Sequence, residues 1–221
     1  MIRHNDLDLS YLESTPGGLA GEGDPLVVLI HGRGADATDL APLADAIGGD
    51  RPIRFVLPDA PRRFEAAPGL ELGYTWFDGY PPKPASLEPS RKRFTGFLDQ
   101  VQRRYGVDDS RLLLCGFSQG ALIALDAGLR REEEVAGVIA LSGGIDKANL
   151  PPEAIRSRPD ILMIHGTRDA AIPLSLARST RALLEKAELD PEYHELRIGH
   201  EITNEAVELI EDFVTRRFAI D

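Results

Sequence analysis

A serine at the centre of a five-residue segment is the first candidate for chemistry in this chain. Ser118 is the middle residue of Gly116-Phe117-Ser118-Gln119-Gly120, which lies between an apolar run at 111–115 and a helix-like run at 121–129. This placement predicts a strand, a sharp turn and a helix, the corner that holds a nucleophilic serine above a sheet. The flanking glycines suit such a corner because a tight turn leaves no room for side chains. Ser118 is therefore the candidate nucleophile.

The base that such a serine needs is expected later in the chain, after an acid. Both partners should lie in loops just beyond strand ends, because ligands bind at that edge of a parallel sheet. His200 follows Gly199 between the last predicted strand, 193–198, and the last predicted helix. His165 ends a strand and His194 lies inside one, so both suit structural roles better. His200 is the candidate base, and a histidine that caps the last helix is the alternative.

The acid is expected to be an aspartate or glutamate between the serine and the base. Asp169 comes four residues after His165, directly beyond the predicted strand 160–165. Asp146 follows an earlier strand and is the alternative, whereas Asp160 stands at the start of its strand and should lie at the wrong edge. A loop aspartate is more often a turn residue, but its order and spacing make Asp169 the candidate acid.

The oxyanion of an acyl-transfer reaction needs two backbone N–H donors. One should come from the residue after the nucleophile, Gln119, and the other from the loop after an early strand. That loop is His31-Gly32-Arg33-Gly34, in which we expect the N–H of Arg33 to be the donor. His31 precedes the serine and is expected to be structural.

Alternating apolar runs predict the fold class. Strands that alternate with helices indicate an α/β protein with a mostly parallel central sheet and helices on both faces. No repeat or linker divides the chain, so we expect a single domain over 1–221. The predicted strands are 7–12, 25–31, 53–57, 111–115, 135–141, 160–165 and 193–198, and the predicted helices are 39–47, 90–105, 121–129, 173–188 and 201–218.

The segment 58–90 differs from the rest because it is rich in proline and aromatic residues and has no clear period. A structureless segment of that length inside a domain is usually functional. We expect a lid-like loop in which Trp76 and Phe77 form a substrate-binding wall. A loop that merely covers the core is the alternative.

Composition excludes several classes of partner. The chain of 221 residues carries 36 acidic and 25 basic residues, a net charge of -11. Nucleic acids and anionic membranes both require a basic footprint, so neither is expected as a partner. No signal-like apolar segment begins the sequence and no run approaches the ~20 apolar residues of a membrane span. The single cysteine, Cys115, cannot form an internal disulfide, which fits a reducing cytoplasm.

The assembled motifs resemble one family. The chain is similar to the small phospholipase/carboxylesterase branch of the α/β-hydrolases, which includes the acyl-protein thioesterases. The resemblance implies an α/β-hydrolase fold without a large cap domain, and the family's triad falls on Ser118, Asp169 and His200. The motifs that carry it are Leu29-Ile30-His31-Gly32-Arg33-Gly34-Ala35-Asp36, Leu57-Pro58-Asp59-Ala60-Pro61, Trp76-Phe77-Asp78, Gly116-Phe117-Ser118-Gln119-Gly120-Ala121, Leu141-Ser142-Gly143, His165-Gly166-Thr167-Arg168-Asp169 and Gly199-His200-Glu201-Ile202.

The resemblance implies a serine carboxylester hydrolase that uses no metal and no organic cofactor. A thioesterase or lysophospholipase is the alternative, and a non-catalytic binding protein on the same fold is a remote one. Family members often have leucine where this chain has Arg33, and Arg62 and Arg63 lie in the lid-like loop. Because an unpaired buried guanidinium is costly, we expect short- to medium-chain acyl substrates rather than a long apolar tunnel. A homodimer is a further possibility.

Overall fold

A central eight-stranded sheet organises the chain. The computed structural model describes residues 1–18 and 20–220. The strands are β1 (Ile2–His4), β2 (Tyr11–Ser14), β3 (Leu26–Ile30), β4 (Arg54–Pro58), β5 (Arg62–Ala67), β6 (Leu70–Thr75), β7 (Leu112–Phe117), β8 (Gly137–Leu141), β9 (Ile161–Gly166) and β10 (Glu192–Leu196). The helices are α1 (Ala41–Gly48), α2 (Pro84–Tyr105), α3 (Gln119–Arg130), α4 (Leu174–Lys186) and α5 (Asn204–Phe218).

The large sheet is mostly parallel. Its order is β1-β2-β4-β3-β7-β8-β9-β10, and the six strands from β4 to β10 in this order are parallel to their neighbours. The antiparallel pairs are at one edge, where β2 pairs with both β1 and β4. The carboxyl ends of β3, β7, β9 and β10 therefore meet at one edge of the sheet, the edge where α/β proteins bind ligands.

Helices cover both faces, as the alternating pattern predicts. Side chains alternate across each central strand: in β7, Leu112 and Leu114 join one buried cluster, whereas Leu113 and Cys115 join the other. The first cluster includes residues of α2, α3 and α4, and the second includes residues of α1 and α5. This confirms the predicted α/β class, in which the central strands are apolar on both sides because both sides are buried. Within residues 1–18 and 20–220, no helix combines the length and apolarity that crossing a bilayer requires.

The segment 58–90 is not structureless, contrary to the prediction. It contains an antiparallel hairpin, β5 and β6, which forms a second, two-stranded sheet. The turn between the strands is Pro68-Gly69, and Gly69 has a φ of +78°, a conformation that glycine adopts readily. Helix α2 also begins earlier than predicted, at Pro84, because the fixed φ of proline suits the first helical position.

The N-terminal edge also differs from the prediction of one strand at 7–12. Residues 6–9 form a bend, and the strands lie on either side of it as β1 and β2. The period-two pattern of apolar residues suggested one continuous strand because Leu9 and Tyr11 are both buried. Only Tyr11 is in a strand. Strand β1 gave no signal because it is a short, exposed edge.

Candidate active site

Ser118 lies at a strained corner between β7 and α3. Its φ of +57° and ψ of -113° are rare for a residue with a side chain. A Cβ on Gly116 would overlap the Gly120 carbonyl, and a Cβ on Gly120 would overlap the Ile30 carbonyl. The two glycines are therefore required by the close approach of strand and helix. Strain of this kind persists where the surrounding structure enforces it, and is found often at active sites.

Asp169 and His200 meet at the same edge of the sheet. Asp169 lies just after β9 and His200 just after β10, and His200 Nδ1 is 2.7 Å from Asp169 Oδ2. The Asp169 side chain is fully buried, whereas that of His200 is 24% exposed. This hydrogen bond directs the other ring nitrogen, Nε2, away from the aspartate, in the orientation that a general base requires.

Asp169 is held in its charged form. Burial alone would raise the pKa of Asp169, but hydrogen bonds from the Ile172 N–H, His200 and the Ala171 N–H outweigh burial and lower the pKa below its ordinary value. The two N–H groups each lie 2.8 Å from Oδ1. An ionised carboxylate beside the ring favours the imidazolium that forms when a base accepts a proton.

The ring of His200 packs beside Phe117, the residue that precedes Ser118. The centroids of the Phe117 and His200 rings are 4.8 Å apart, which brings His200 to the elbow. Among the described residues, Ser118 and His200 form no direct hydrogen bond to each other. Catalytic hydrogen bonds are often long without substrate and tighten when substrate binds.

Two backbone N–H groups, in the two segments that meet at Ser118, form no hydrogen bond in the described part of the chain. They belong to Arg33 and Gln119, the residues predicted from sequence to form the oxyanion hole. The loop after β3 approaches closely, because a Cβ on Gly32 would lie 3.2 Å from Ser118 Cβ. Gln119 is the first residue of α3, where N–H groups have no intrahelical partner. Both N–H groups are therefore available to a developing negative charge.

His31 has a structural role in this arrangement. Its Nε2 accepts the Ala60 N–H at 3.0 Å, so Nδ1 carries the proton and donates to the Gly32 carbonyl at 2.6 Å. Burial is the main cause that lowers the pKa of His31 below its usual range, which keeps the ring neutral. The ring thus fixes the loop that carries Arg33.

Trp76 and Phe77 do not form an exposed substrate wall, contrary to the prediction of direct contact. Both side chains have 0% exposure, because they pack into the core beneath the site. Trp76 Nε1 donates to the His31 carbonyl at 2.9 Å, and its ring meets Phe94 edge-on. The two residues therefore support the loop 31–34 from below and present no surface to a ligand in this structure.

The side chain of Gln119 explains why glutamine follows the serine. Its Oε1 accepts the Trp76 N–H at 3.0 Å and the Thr75 hydroxyl at 3.1 Å, and its Nε2 donates to the Phe77 carbonyl at 2.8 Å. Gln119 thus ties the 75–77 segment to the start of α3. Sequence reasoning considered only its backbone N–H.

Tyr80 is a second residue that sequence reasoning missed. Its hydroxyl accepts the Gly144 N–H at 3.0 Å and lies 2.9 Å from the Gly144 carbonyl and 3.3 Å from the Ser118 carbonyl. Burial raises the pKa of Tyr80 far above its usual range, so the group remains a neutral donor. Tyr80 links the elbow to the loop after β8. Its place in a proline-rich segment without a period gave no signal for this contact.

His165 holds the loop that carries Asp169. Its Nε2 lies 3.0 Å from the Ile172 carbonyl and 3.6 Å from Asp169 Oδ2, and its side chain is 1% exposed. The carbonyl can only accept, so Nε2 carries the proton. Ile172 in turn donates its N–H to Asp169, so His165 fixes both ends of this short loop. The sequence showed only that His165 ends a strand.

The alternative acids and base lie elsewhere. Asp146 Oδ1 accepts hydrogen bonds from the backbone and side chain of Asn149, as a turn residue does. Asp160 pairs with Arg217 before β9, at the opposite edge of the sheet. His194 is 3.0 Å from Glu192 on the same strand. None of them contacts His200.

Comparisons with known proteins agree with the fold. The phospholipase/carboxylesterase family model matches residues 20–217. Acyl-protein thioesterase 1 of Neurospora crassa is 30% identical over 183 residues, which cover 75% of this chain and 74% of that protein. Lysophospholipase-like protein 1 of Mus musculus is 26% identical over 176 residues, 75% of this chain and 73% of that protein.

A solved structure of similar size supports the same assignment. The crystal structure of esterase PE8 has a TM-score of 0.84 and 30% identity, and the match covers 94% of this chain and 98% of that one. The matched family range includes the elbow, the Asp169 loop and the His200 loop. The chain is an ester hydrolase and belongs to the phospholipase/carboxylesterase family of α/β-hydrolases.

Proposed function

We propose that this chain hydrolyses carboxylic esters through an acyl-enzyme on Ser118, with His200 as the base and Asp169 as the acid. The 2.7 Å hydrogen bond between His200 and Asp169, next to a serine on a strained elbow, is the observation that carries the proposal. Membership of the family supports hydrolysis in general. The triad and the substrate range are the finer part of the proposal.

In the first half-reaction, Ser118 Oγ attacks the carbonyl carbon of the ester and its proton passes to His200 Nε2. Asp169 stabilises the imidazolium that results. The carbonyl oxygen becomes negatively charged and accepts hydrogen bonds from the N–H groups of Arg33 and Gln119. The C–O bond to the alcohol then breaks, and the alcohol leaves with the proton from His200.

In the second half-reaction, water takes the place of the alcohol. His200 accepts a proton from the water as its oxygen attacks the acyl carbon, and the oxyanion is held by the same two N–H groups. The bond to Ser118 Oγ breaks, and Ser118 recovers its proton from His200. The free acid leaves and the enzyme returns to its starting state.

The proposed substrates have short to medium acyl chains. An apolar pocket gains about 0.8 kcal/mol per buried CH₂ group, so activity should rise with chain length until the pocket is full. The exposed Arg33, in the loop next to Ser118, supports an upper limit on the length of the acyl chain. A long apolar chain that passes Arg33 would desolvate a charged group. We expect the optimum at roughly four to eight carbons on this per-methylene reasoning.

Thioester hydrolysis or lysophospholipid hydrolysis is the second candidate, and the names of the two relatives favour it. A series of p-nitrophenyl esters and acyl-thioesters from two to sixteen carbons would be assayed on the purified chain, with Ser118→Ala as the background. The proposal expects ester activity that peaks at short to medium chains. If kcat/KM rises up to palmitoyl, or only thioesters react, the second candidate replaces it. A remote candidate, a non-catalytic binding protein, would be indicated if the wild type matched Ser118→Ala on every substrate.

The proposed partners are small acyl substrates rather than macromolecules. The net charge of -11 supports the absence of nucleic acid as a partner. We also propose a cytoplasmic location. The basis is that the single cysteine, Cys115, is buried and cannot form an internal disulfide, which fits a reducing compartment. A homodimer is a further proposal that light scattering would test.

A further inference from the structure

Arg33 combines two properties: its loop lies against Ser118, and its side chain forms no ion pair in the described residues. Gly32 places the loop against Ser118, and Arg33 follows it after one Cα step of about 3.8 Å. The Arg33 side chain is exposed. Within residues 1–18 and 20–220, it forms no ion pair and no hydrogen bond to a carboxylate.

The hairpin holds the guanidinium of Arg33 in place. The Cζ atom of Arg33 lies 4.4 Å from the centroid of the Phe64 ring, a cation–π contact. The hairpin itself is fixed to the loop, because the Gly34 N–H donates to the Tyr74 carbonyl at 2.8 Å and the Tyr74 N–H donates to the Ala35 carbonyl at 2.7 Å. Stacking on a ring leaves the edge of the guanidinium, which carries its N–H donors, free to bind an anion.

The neighbouring carboxylates are already occupied. Asp36 accepts hydrogen bonds from the N–H and the hydroxyl of Thr38. Asp78 accepts two hydrogen bonds from Arg62, at 3.0 and 3.1 Å. Arg62 is the main cause that lowers the pKa of Asp78, and Arg33 is near enough for its charge to help lower it. Arg33 is therefore a cation that forms no direct ion pair in the described residues, on a chain whose net charge is -11.

We propose that Arg33 binds a carboxylate of the substrate, so that the enzyme prefers esters with a free carboxylate to their neutral analogues. The single charge of a guanidinium matches that of a carboxylate, which it can bind through two parallel hydrogen bonds. The inference rests on the proposed ester hydrolysis at Ser118. The carboxylate can belong to the acyl part or to the alcohol part of the ester, and the test separates the two.

The test compares charged and neutral esters that match in size. The acyl arm pairs mono-4-nitrophenyl suberate with 4-nitrophenyl methyl suberate, and the alcohol arm pairs 4-acetoxybenzoate with its methyl ester. The readout is the ratio of kcat/KM for the charged ester to that for the neutral one. One arm places the carboxylate on the part of the ester that Arg33 binds. In that arm, Arg33→Leu should lower this ratio by about tenfold, the size expected for a charge-assisted hydrogen bond. Arg33→Lys should keep most of the ratio.

Arg103 provides a matched control. It is an exposed arginine in the last turn of α2, before β7 and hence away from the edge that carries Ser118, and it forms no ion pair in the described residues. Arg103→Leu changes the net charge equally and should leave the ratio and the basal activity unchanged. Raising the salt concentration should reduce the ratio of the wild type and not that of Arg33→Leu, because the Debye length is about 10 Å at 0.1 M.

The inference is overturned if Arg33→Leu lowers the rates on charged and neutral esters by the same factor in both arms. That result would mean that Arg33 only holds Phe64 and the hairpin. A lack of hydrolysis of every ester by the wild type would instead refute the proposed function. The two failures are therefore distinguishable.

Discussion

Asp169 and His200 show how hydrogen bonds allow a buried side chain to remain charged. A carboxylate with no exposed surface is costly unless it is fully hydrogen-bonded. Here the Ala171 and Ile172 N–H groups bind one oxygen and His200 binds the other. The aspartate is thus ionised and immobile, and the imidazole that it orients is partly exposed, where substrate can reach it.

Removing either partner of Ser118 should abolish activity while leaving the fold intact. We expect His200→Ala and Asp169→Asn each to reduce kcat by about 10³-fold or more, because triad members act as a unit. The controls are His194→Ala and Asp146→Asn, which change the same residue types outside the site and should have small effects. The measurement is kcat on a p-nitrophenyl ester, with circular dichroism to verify folding. An inactive His194→Ala together with an active His200→Ala would show that the base is misassigned.

Asp169 should also stabilise the protein in a pH-dependent way. Its pKa in the folded state is below the ordinary 3.8. Its contribution is therefore fully present above the unfolded-state pKa and is lost as the pH falls through the folded-state pKa. We expect the difference in free energy of unfolding between wild type and Asp169→Asn, measured in urea, to shrink from pH 7 to pH 3. A difference that stays constant or grows in acid would contradict this.

The hairpin and the 75–77 segment show how elements at a distance from Ser118 in the sequence support the loop 31–34. Gln119 binds this segment from the start of α3, and Trp76 reaches the His31 carbonyl. Trp76 is fully buried against Phe94. The loop 31–34 is therefore supported on one side by the core and covered on the other by the hairpin.

Truncating Trp76 should act on stability rather than on substrate choice. Trp76→Ala removes a fully buried ring, so we expect a loss of roughly 3–5 kcal/mol in the free energy of unfolding. Leu72→Ala is the control, since Leu72 is an apolar residue of the hairpin that is 45% exposed. It should change stability by less than about 0.5 kcal/mol. If Trp76→Ala left stability unchanged and altered only the chain-length preference, the original prediction of a substrate wall would be restored.

The sequence predicts the elements that follow a simple rule. The apolar runs of β3, β7 and β9 are buried on both faces, and the order serine, aspartate, histidine after strand ends identifies the pair that the structure brings together. The hairpin escaped prediction because it is largely exposed and has two register shifts. Its Pro68-Gly69 turn was the available signal. Trp76 was misassigned because an aromatic residue in a segment without a period does not reveal which neighbours bury it.

The large sheet joins the two ends of the chain into one structure. Strand β1 lies at one edge and β10 at the other. Helices α1 and α5, from opposite ends of the sequence, pack on the same face, and Arg51 pairs with Glu211 at 2.9 Å. These contacts support the proposal that residues 1–221 form a single domain.

A single domain should unfold in one cooperative step. The only tryptophan, Trp76, lies in the core, so its fluorescence reports tertiary packing, whereas circular dichroism reports the helices on both faces. We expect the two signals to give the same midpoint in a urea titration. Separate midpoints would indicate two units that unfold independently.

The central claim is that Ser118 is the covalent nucleophile, and active-site labelling tests it most directly. The purified chain would be treated with a fluorophosphonate and examined by mass spectrometry, with Ser118→Ala in parallel. If Ser118 is the nucleophile, we expect one adduct per chain, on the peptide that contains Ser118, and no adduct on the variant. Labelling that survives in Ser118→Ala, or a wild type that is never labelled, would contradict it.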